Sequence, residues 1–416
     1  MIIRKIKGNE IKRTSELFAL AFEFGSDEER SAEEIYQQII EQPQSREDRH
    51  WQERWAAFED DDATMMGFFI AKPMPINFDG QDATMTGIGG VATLPQYRRR
   101  GCIRACFVKA LPDMYEKGIA FSYLYPFSTA YYRKFGYETA VERIGYEVLL
   151  DAISADRVSG SCYLCEPGGP VSMKVAQADI QAIYRDWQSR YNLMVDNDDS
   201  EFDWVAESNP VKEQVFTYVY RDASGSPRAF ATFTSQGEPG VRDLICSRFF
   251  FRDWEGFRGL LQLAKSYASD HRALIFKLPT DQTAALWIQE WSMGALKREI
   301  ISAGMVRVIN VVQVLKMARY RGSGRLVIDI TDQYIPQNNG RFVVNFADGR
   351  ATDVSSDVST DVSTDVSVGI GDFSRLITGT FQTDMLPFMP TVQIHGDREA
   401  VLKVFYPKPC YITEPF

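Results

Sequence analysis

The chain has 416 residues, with 46 Lys and Arg against 56 Asp and Glu, for a formal net charge of −10. That length exceeds one typical domain and predicts two or three. The acidic balance, with no domain-wide basic face, excludes nucleic acid as a partner. Six scattered cysteines (Cys102, Cys106, Cys162, Cys165, Cys246, Cys410) point to free thiols in a reducing compartment. Cys162 and Cys165 form a CxxC with no second pair, so they read as ordinary strand cysteines. The histidines, His50, His271 and His395, sit in no ligand pattern, so no metal is expected. The N-terminal residues lack the apolar core of a signal peptide, and no apolar run is long enough to span a bilayer. A cytoplasmic protein with no membrane partner is expected.

Residues 9–24 have helical apolar spacing, and a second helix is predicted after Ser31, with Glu34 completing a capping box. Strands follow: "RWAAFED" turns at Asp60–Asp62 into "TMMGFFIAKPMPI", and "ATMTGIGGVATL" comes next. Then comes "YRRRGCIR", residues 97–104, leading into an amphipathic helix that Pro112 is expected to end or kink. "IAFSYLYPF" predicts a strand, and "STAYYRKFGY" a short helix closed by Gly136. "AVERIGYEVLL" predicts the last strand of an α+β domain over residues 1–150.

Residues 151–300 repeat the order of strand, turn, helix and strand, with a further helix over "DQTAALWIQEW". Where the arginines stood, "FRDWEGFRGLL" carries Asp253 and Glu255, so a duplicated unit would have lost its anion site. Residues 301–416 form a third, β-rich region. Within it, "DVSSDVSTDVSTDVS" (353–367) spaces four aspartates evenly. That pattern reads either as a metal-binding repeat or as an expanded surface loop. It lacks the glycine-rich turns of calcium repeats, which favours the loop.

Four arginines within residues 98–104 are anomalous in an acidic chain. A glycine-containing loop entering a helix binds anions for a physical reason. The first N–H groups of the helix have no intrahelical acceptor, and the peptide dipoles place positive charge there. Guanidinium groups add paired donors for phosphate oxygens. The loop is neither GxxxxGK[ST] nor GxGxxG, which disfavours nucleoside triphosphates and dinucleotides and leaves a diphosphate. A solvated basic cluster is the competing reading.

"YYRKFGYE", residues 131–138, follows a helix and a strand later. With it the sequence resembles the GNAT superfamily of acyl-CoA N-acyltransferases. Arg98-Arg99-Arg100-Gly101-Cys102-Ile103 is similar to the [RQ]-x-x-G-x-[GA] loop of that superfamily, with Ile103 in place of the small residue. Tyr131-Tyr132-Arg133-Lys134-Phe135-Gly136-Tyr137 is similar to its F-Y-x-x-x-G-F helix. A second α/β region without motifs, a β-rich third region and the ending "YITEPF" make the whole chain resemble the Eis family of acetyltransferases.

The resemblance implies an α+β architecture of tandem GNAT-like mixed-sheet domains, followed by a sterol-carrier-protein-like domain. The divisions would be a catalytic domain over 1–150, a degenerate copy over 151–300, and a third domain over 301–416 bearing the active-site C-terminus. It implies acetyl-CoA as co-substrate, held by Val91, Ala92, Thr93, Arg98, Arg99, Arg100, Gly101, Cys102, Ile103 and Arg104. Tyr132 would be the general acid, its phenol pKa of about 10 being near enough to that of a thiol, about 8.5, to protonate the departing sulfur. The carboxylate of Phe416 would be the general base. Glu23 and Glu414 would attract a small-molecule amine, of aminoglycoside, polyamine or lysine-like type. A homo-oligomer, a hexamer in this family, is also implied. The rival reading is an acyl-CoA- or lipid-binding sensor without turnover.

Overall fold

The computed structural model describes residues 1–22, 53–154, 158–197, 202–238, 241–284, 288, 294–356 and 362–414. The helix expected after Ser31 lies outside them, as does most of that expected over 281–291. Among the described residues no helix is long and apolar enough to cross a membrane.

The first sheet begins with β1 (Ile2–Lys5), followed by helix α1 (Ile11–Phe22). β2 (Arg54–Phe58), β3 (Met65–Phe78) and β4 (Gln81–Thr93) extend it in antiparallel fashion. β2 covers β3 only as far as Ile70. Beyond that point β3 carries Pro73 and Pro75, which cannot donate to a ladder and suit a strand with one open edge. Helix α2 (Cys102–Glu116) then leads to β5 (Phe121–Leu124), which pairs in parallel with β4 from Met85–Phe121 to Ile88–Leu124. Past Ile88, β4 bulges at Gly90–Val91 opposite Phe69 and runs on to Thr93 with no strand on its β5 side among the described residues. The two strands therefore open like a V.

Helix α2 lays Cys102, Ile103, Cys106, Phe107, Ala110, Leu111 and Met114 on the sheet, the spacing of one helical face. Pro112 was expected to end or kink it, but the helix runs on to Glu116. The proline forfeits only the bond to the carbonyl of Val108, and Val108 is exposed, so water can take that place. Helix α3 (Thr129–Arg133) and strand β6 (Glu138–Thr139) complete the unit.

The strand expected to close this unit, β7 (Glu142–Leu149), belongs elsewhere. It turns Ile144, Tyr146 and Val148 into a second core and is the second strand of a second sheet. That sheet adds β8 (Ser161–Leu164), β9 (Phe216–Arg221), β10 (Pro227–Gln236), β11 (Arg242–Phe251), β12 (His271–Pro279) and β13 (Leu296–Ser302). Its order is β13-β7-β12-β11-β10-β9-β8. Helices α4 (Met173–Arg190) and α5 (Asp203–Glu207) precede β9, and α6 (Trp254–Lys265) joins the parallel pair β11 and β12. Strand β14 (Met305–Val308) then returns to the first sheet, between β5 and β6. The chain thus enters the second sheet at Glu142, ahead of residue 150, and leaves it after Ser302 to rejoin the first.

The third region holds α7 (Val311–Met317), β15 (Gly324–Thr331), β16 (Gly340–Ala347), β17 (Arg350–Ser355), β18 (Val366–Gly369), α8 (Ile370–Thr378), β19 (Gln393–Ile394) and α9 (Arg398–Val404). Its sheet runs β17-β16-β15-β18-β19. The ends of the Asp-Val-Ser repeat lie in β17 and β18, Asp365 accepts from the Val327 N–H at 2.7 Å, and residues 357–361 lie outside the described set. Among the described residues no cluster of three or more metal-ligating side chains occurs.

Asp79, at the tip of the β3–β4 hairpin, joins the three regions. It forms a buried ion pair with Lys408 at 2.6 Å and accepts from the Arg319 N–H at 2.7 Å and from Asn192 at 2.9 Å. Breaking such a pair on one side costs about 3–5 kcal/mol, because the survivor stays buried and uncompensated.

Candidate active site

The arginine cluster lies where the sequence put it, between β4 and the N-terminus of α2. Gly101 is the residue before the helix, at φ 82°, a left-handed conformation that glycine adopts without strain. No side chain caps that end, so the N–H groups of Cys102, Ile103 and Arg104 remain available. A cavity of about 550 Å³ opens there. Its walls include Thr93, Arg98, Arg99, Gly101, Cys102, Ile103 and Arg104.

The arginines are not equivalent. Arg99 and Arg104 line the cavity, exposed and without an ion pair among the described residues. Arg98 also lines it, but its guanidinium turns back towards the carbonyls of Thr93 and Ala21, at 3.4 and 3.5 Å. Arg100, expected with the others, lies outside the walls and stacks on Tyr97, 5.1 Å from the ring centroid. Val91 and Ala92 are not in the walls either: Ala92 is buried under the sheet, and Val91 packs against the α2 core. Ile103 is buried with that core, so its bulk points away from the rim that Gly101 keeps open.

Sequence reading missed five wall residues of this cavity. Tyr131, Lys134 and Phe135 come from the tyrosine segment itself. Gln333 and Tyr334 come from the third region, and no local pattern marks them. They are held by a fully buried ion pair, Arg307 with Asp332, at 2.8 Å. A Cβ at Gly136 would collide with the Arg307 guanidinium, which explains the glycine there along with its φ of 80°.

Tyr132 sits beneath the cavity wall, 2% exposed, among Phe107, Phe127, Tyr131 and Tyr137. Its hydroxyl makes no hydrogen bond to a described residue. The hydroxyls of Tyr137 and Tyr123 are engaged, with Ser122 at 2.7 Å and with the Ala303 carbonyl at 2.7 Å. Burial pushes the Tyr132 phenol well above its ordinary pKa, so it stays protonated through the neutral range. It is thereby a weaker acid than the free phenol assumed from sequence.

The C-terminal segment is docked. Pro409 and Tyr411 exchange backbone bonds with Asn192, and Tyr411 packs on Trp187 and Tyr191. Arg143 donates to the carbonyl of Ile412 and lies over the Tyr411 ring. Tyr125, just past β5, donates to the carbonyl of Glu414 at 3.0 Å. Phe416 and Glu23 lie outside the described residues. The Glu414 carboxylate enters a second cavity, of about 720 Å³, between the open edge of β3 and the second unit. Tyr184, Asn197 and Thr413 donate to it.

Residues 2–140 match the family model of the acetyltransferase (GNAT) domain, and residues 311–411 that of the sterol carrier protein domain. The chain is therefore an acetyltransferase of the GNAT type with a C-terminal sterol carrier protein domain. It shares its whole architecture with solved relatives. A GCN5-related N-acetyltransferase of Anabaena variabilis ATCC 29413 superposes with TM-score 0.81 at 18% identity, over 100% of both chains. A conserved Enterococcus faecalis V583 protein of unknown function gives 0.79 at 19%, over 100% of this chain and 99% of its own. Eis1 from Mycobacterium abscessus gives 0.76 at 17%, over 100% of both chains, so the three-part fold is that of Eis. No curated protein matches the chain by sequence.

Proposed function

We propose that this acetyltransferase moves the acetyl group of acetyl-CoA onto a small-molecule primary amine, within the unit that holds β4, α2 and α3. The observation that carries the reading is the open, cationic end of α2 beside Tyr132, whose hydroxyl is uncommitted. The N–H groups at Cys102, Ile103 and Arg104, with Arg99 and Arg104, would hold the pyrophosphate. The free edge of β4 between Gly89 and Thr93 would bond the pantetheine amides and lead the thioester into the V.

The neutral amine would attack the thioester carbonyl, forming a C–N bond as the C–S bond breaks. Tyr132 would give its proton to the departing thiolate. Because burial has raised the phenol pKa, this transfer needs a thiolate that is equally poorly solvated, as it would be inside the V. The C-terminal carboxylate of Phe416 would take the ammonium proton, and the docking of Pro409–Glu414 supports a tail that reaches inward. The acceptor would occupy the cavity at Glu414. A homo-oligomer, a hexamer by analogy with Eis, and a cytoplasmic site remain part of this reading. The second unit would serve as scaffold.

Tyr132→Phe tests it. Thiol release from acetyl-CoA with an amine panel should fall by at least about 100-fold in kcat, with coenzyme affinity unchanged, as loss of a general acid predicts. Unaltered turnover would remove Tyr132 from the chemistry. Coenzyme binding without thiol release for any amine would favour a sensor.

A further inference from the structure

The cavity at Glu414 is not the acidic pit that a purely cationic acceptor calls for. Asp196 and Glu414 stand in its wall, but so do Lys72 and Arg248. Glu414 is satisfied by neutral donors, at 3.2 Å from Asn197 and 3.1 Å from Thr413, with Tyr184 as the third. Its charge is therefore not cancelled by a bound cation. The backbone of Asp196 is fixed by its N–H on the carbonyl of Pro75 at 2.8 Å, and its carboxylate has no ion pair among the described residues. Neither Lys72 nor Arg248 has one either.

Arg248 is the more telling of the two cations. Its guanidinium lies 4.2 Å from the centroid of the Trp204 ring, and that contact fixes its direction. Desolvation lowers its pKa, an effect that the charge of Glu414 only partly offsets. A guanidinium held on the Trp204 face at the cavity wall, with no ion pair among the described residues, is stabilised by an anion that meets it face to face. Protein carboxylates do not fill that role here, although Glu414 shares the cavity. Both signs of charge thus persist side by side, without a direct ion pair between them among the described residues, around a space the size of a small-molecule site.

Resting on the acetyl-transfer reading above, we infer that the acceptor is zwitterionic: a primary amine that also bears a carboxylate or phosphate. The amine would lie towards Glu414 and Asp196, and the anionic group towards Arg248 and Lys72. A polyamine would bring its second ammonium against two cations, and a simple anion would face two carboxylates. The Pro73–Pro75 edge of β3 and the aromatic wall at Phe230 and Phe250 would pack the spacer between the two charges.

The test compares matched amines that differ only in the anionic group: lysine with cadaverine, ornithine with putrescine, and phosphoethanolamine with ethanolamine. Thiol release from acetyl-CoA gives kcat/KM for each. The full-length protein should prefer the anionic member of at least one pair by about tenfold or more. Which pair responds separates carboxylate from phosphate. In Arg248→Gln that ratio should fall towards one, through KM rather than kcat. Lys72→Gln supplies a second variant should the first fail to fold. Equal or better turnover of the purely cationic members overturns the inference while leaving acetyl transfer intact. If no amine releases thiol, equilibrium dialysis of the same pairs against the CoA-loaded protein decides. A binding preference for zwitterions that Arg248→Gln removes sustains the inference although acetyl transfer fails. Equal or absent binding overturns it.

Discussion

Two strand–helix–strand units in this chain share a plan and differ at one spot. In the first, parallel β4 and β5 flank α2; in the second, parallel β11 and β12 flank α6. The N-terminus of α2 begins at Gly101, uncapped, with arginines around it. The N-terminus of α6 begins at Asp253, whose carboxylate accepts from the Gly256 N–H at 2.9 Å and pairs with Arg228 at 3.1 Å. Glu255 next to it accepts from Ser159 and Tyr220, at 2.7 and 3.0 Å. The second helix end thus carries its own anion. The same dipole and the same free N–H groups would serve a ligand in one unit and serve stability in the other.

This contrast can be broken by exchange. Gly101→Asp would bring the self-capping of α6 to α2 and strain the backbone at φ 82°. Coenzyme affinity should fall by about 100-fold or more, since attraction becomes repulsion at the helix end. Calorimetric titration of CoA, with circular dichroism to confirm folding, reads it. A smaller effect sharpens the assignment of the arginines. Arg104→Met should weaken CoA binding about tenfold, the scale of one charge-assisted hydrogen bond, and flatten its salt dependence. Arg100→Met, on the side of Tyr97, should change affinity by less than about twofold. The smallest effect is in the second unit. Asp253→Ala should lower thermal stability by about 1 kcal/mol through loss of the cap, and leave coenzyme affinity unchanged.

Much of this was legible in the chain. The arginine loop and the tyrosine helix were legible because each is local: one turn and one short helix form them, and spacing records both. The opposite fate of the second helix end was visible in Asp253 and Glu255. What escaped the sequence was long-range. β7 reads as a generic amphipathic strand, and only its core partners decide which sheet takes it. β14, starting at Met305, crosses back to the first sheet that the chain left after Thr139, and no local pattern encodes that choice. Gln333, Tyr334, Lys72 and Arg248 reach their cavities through tertiary packing alone. Pro112 misled because helix propensity was weighed without the exposed face that absorbs its missing bond.

The central claim is that one of the two helix ends holds the coenzyme and the other cannot. Titration of acetyl-CoA into the intact protein, with the number of sites counted per chain, tests it most directly. The account predicts one site per chain, abolished or severely weakened in Gly101→Asp and retained in Asp253→Ala. Two sites per chain, or one that survives Gly101→Asp at full affinity, would contradict it.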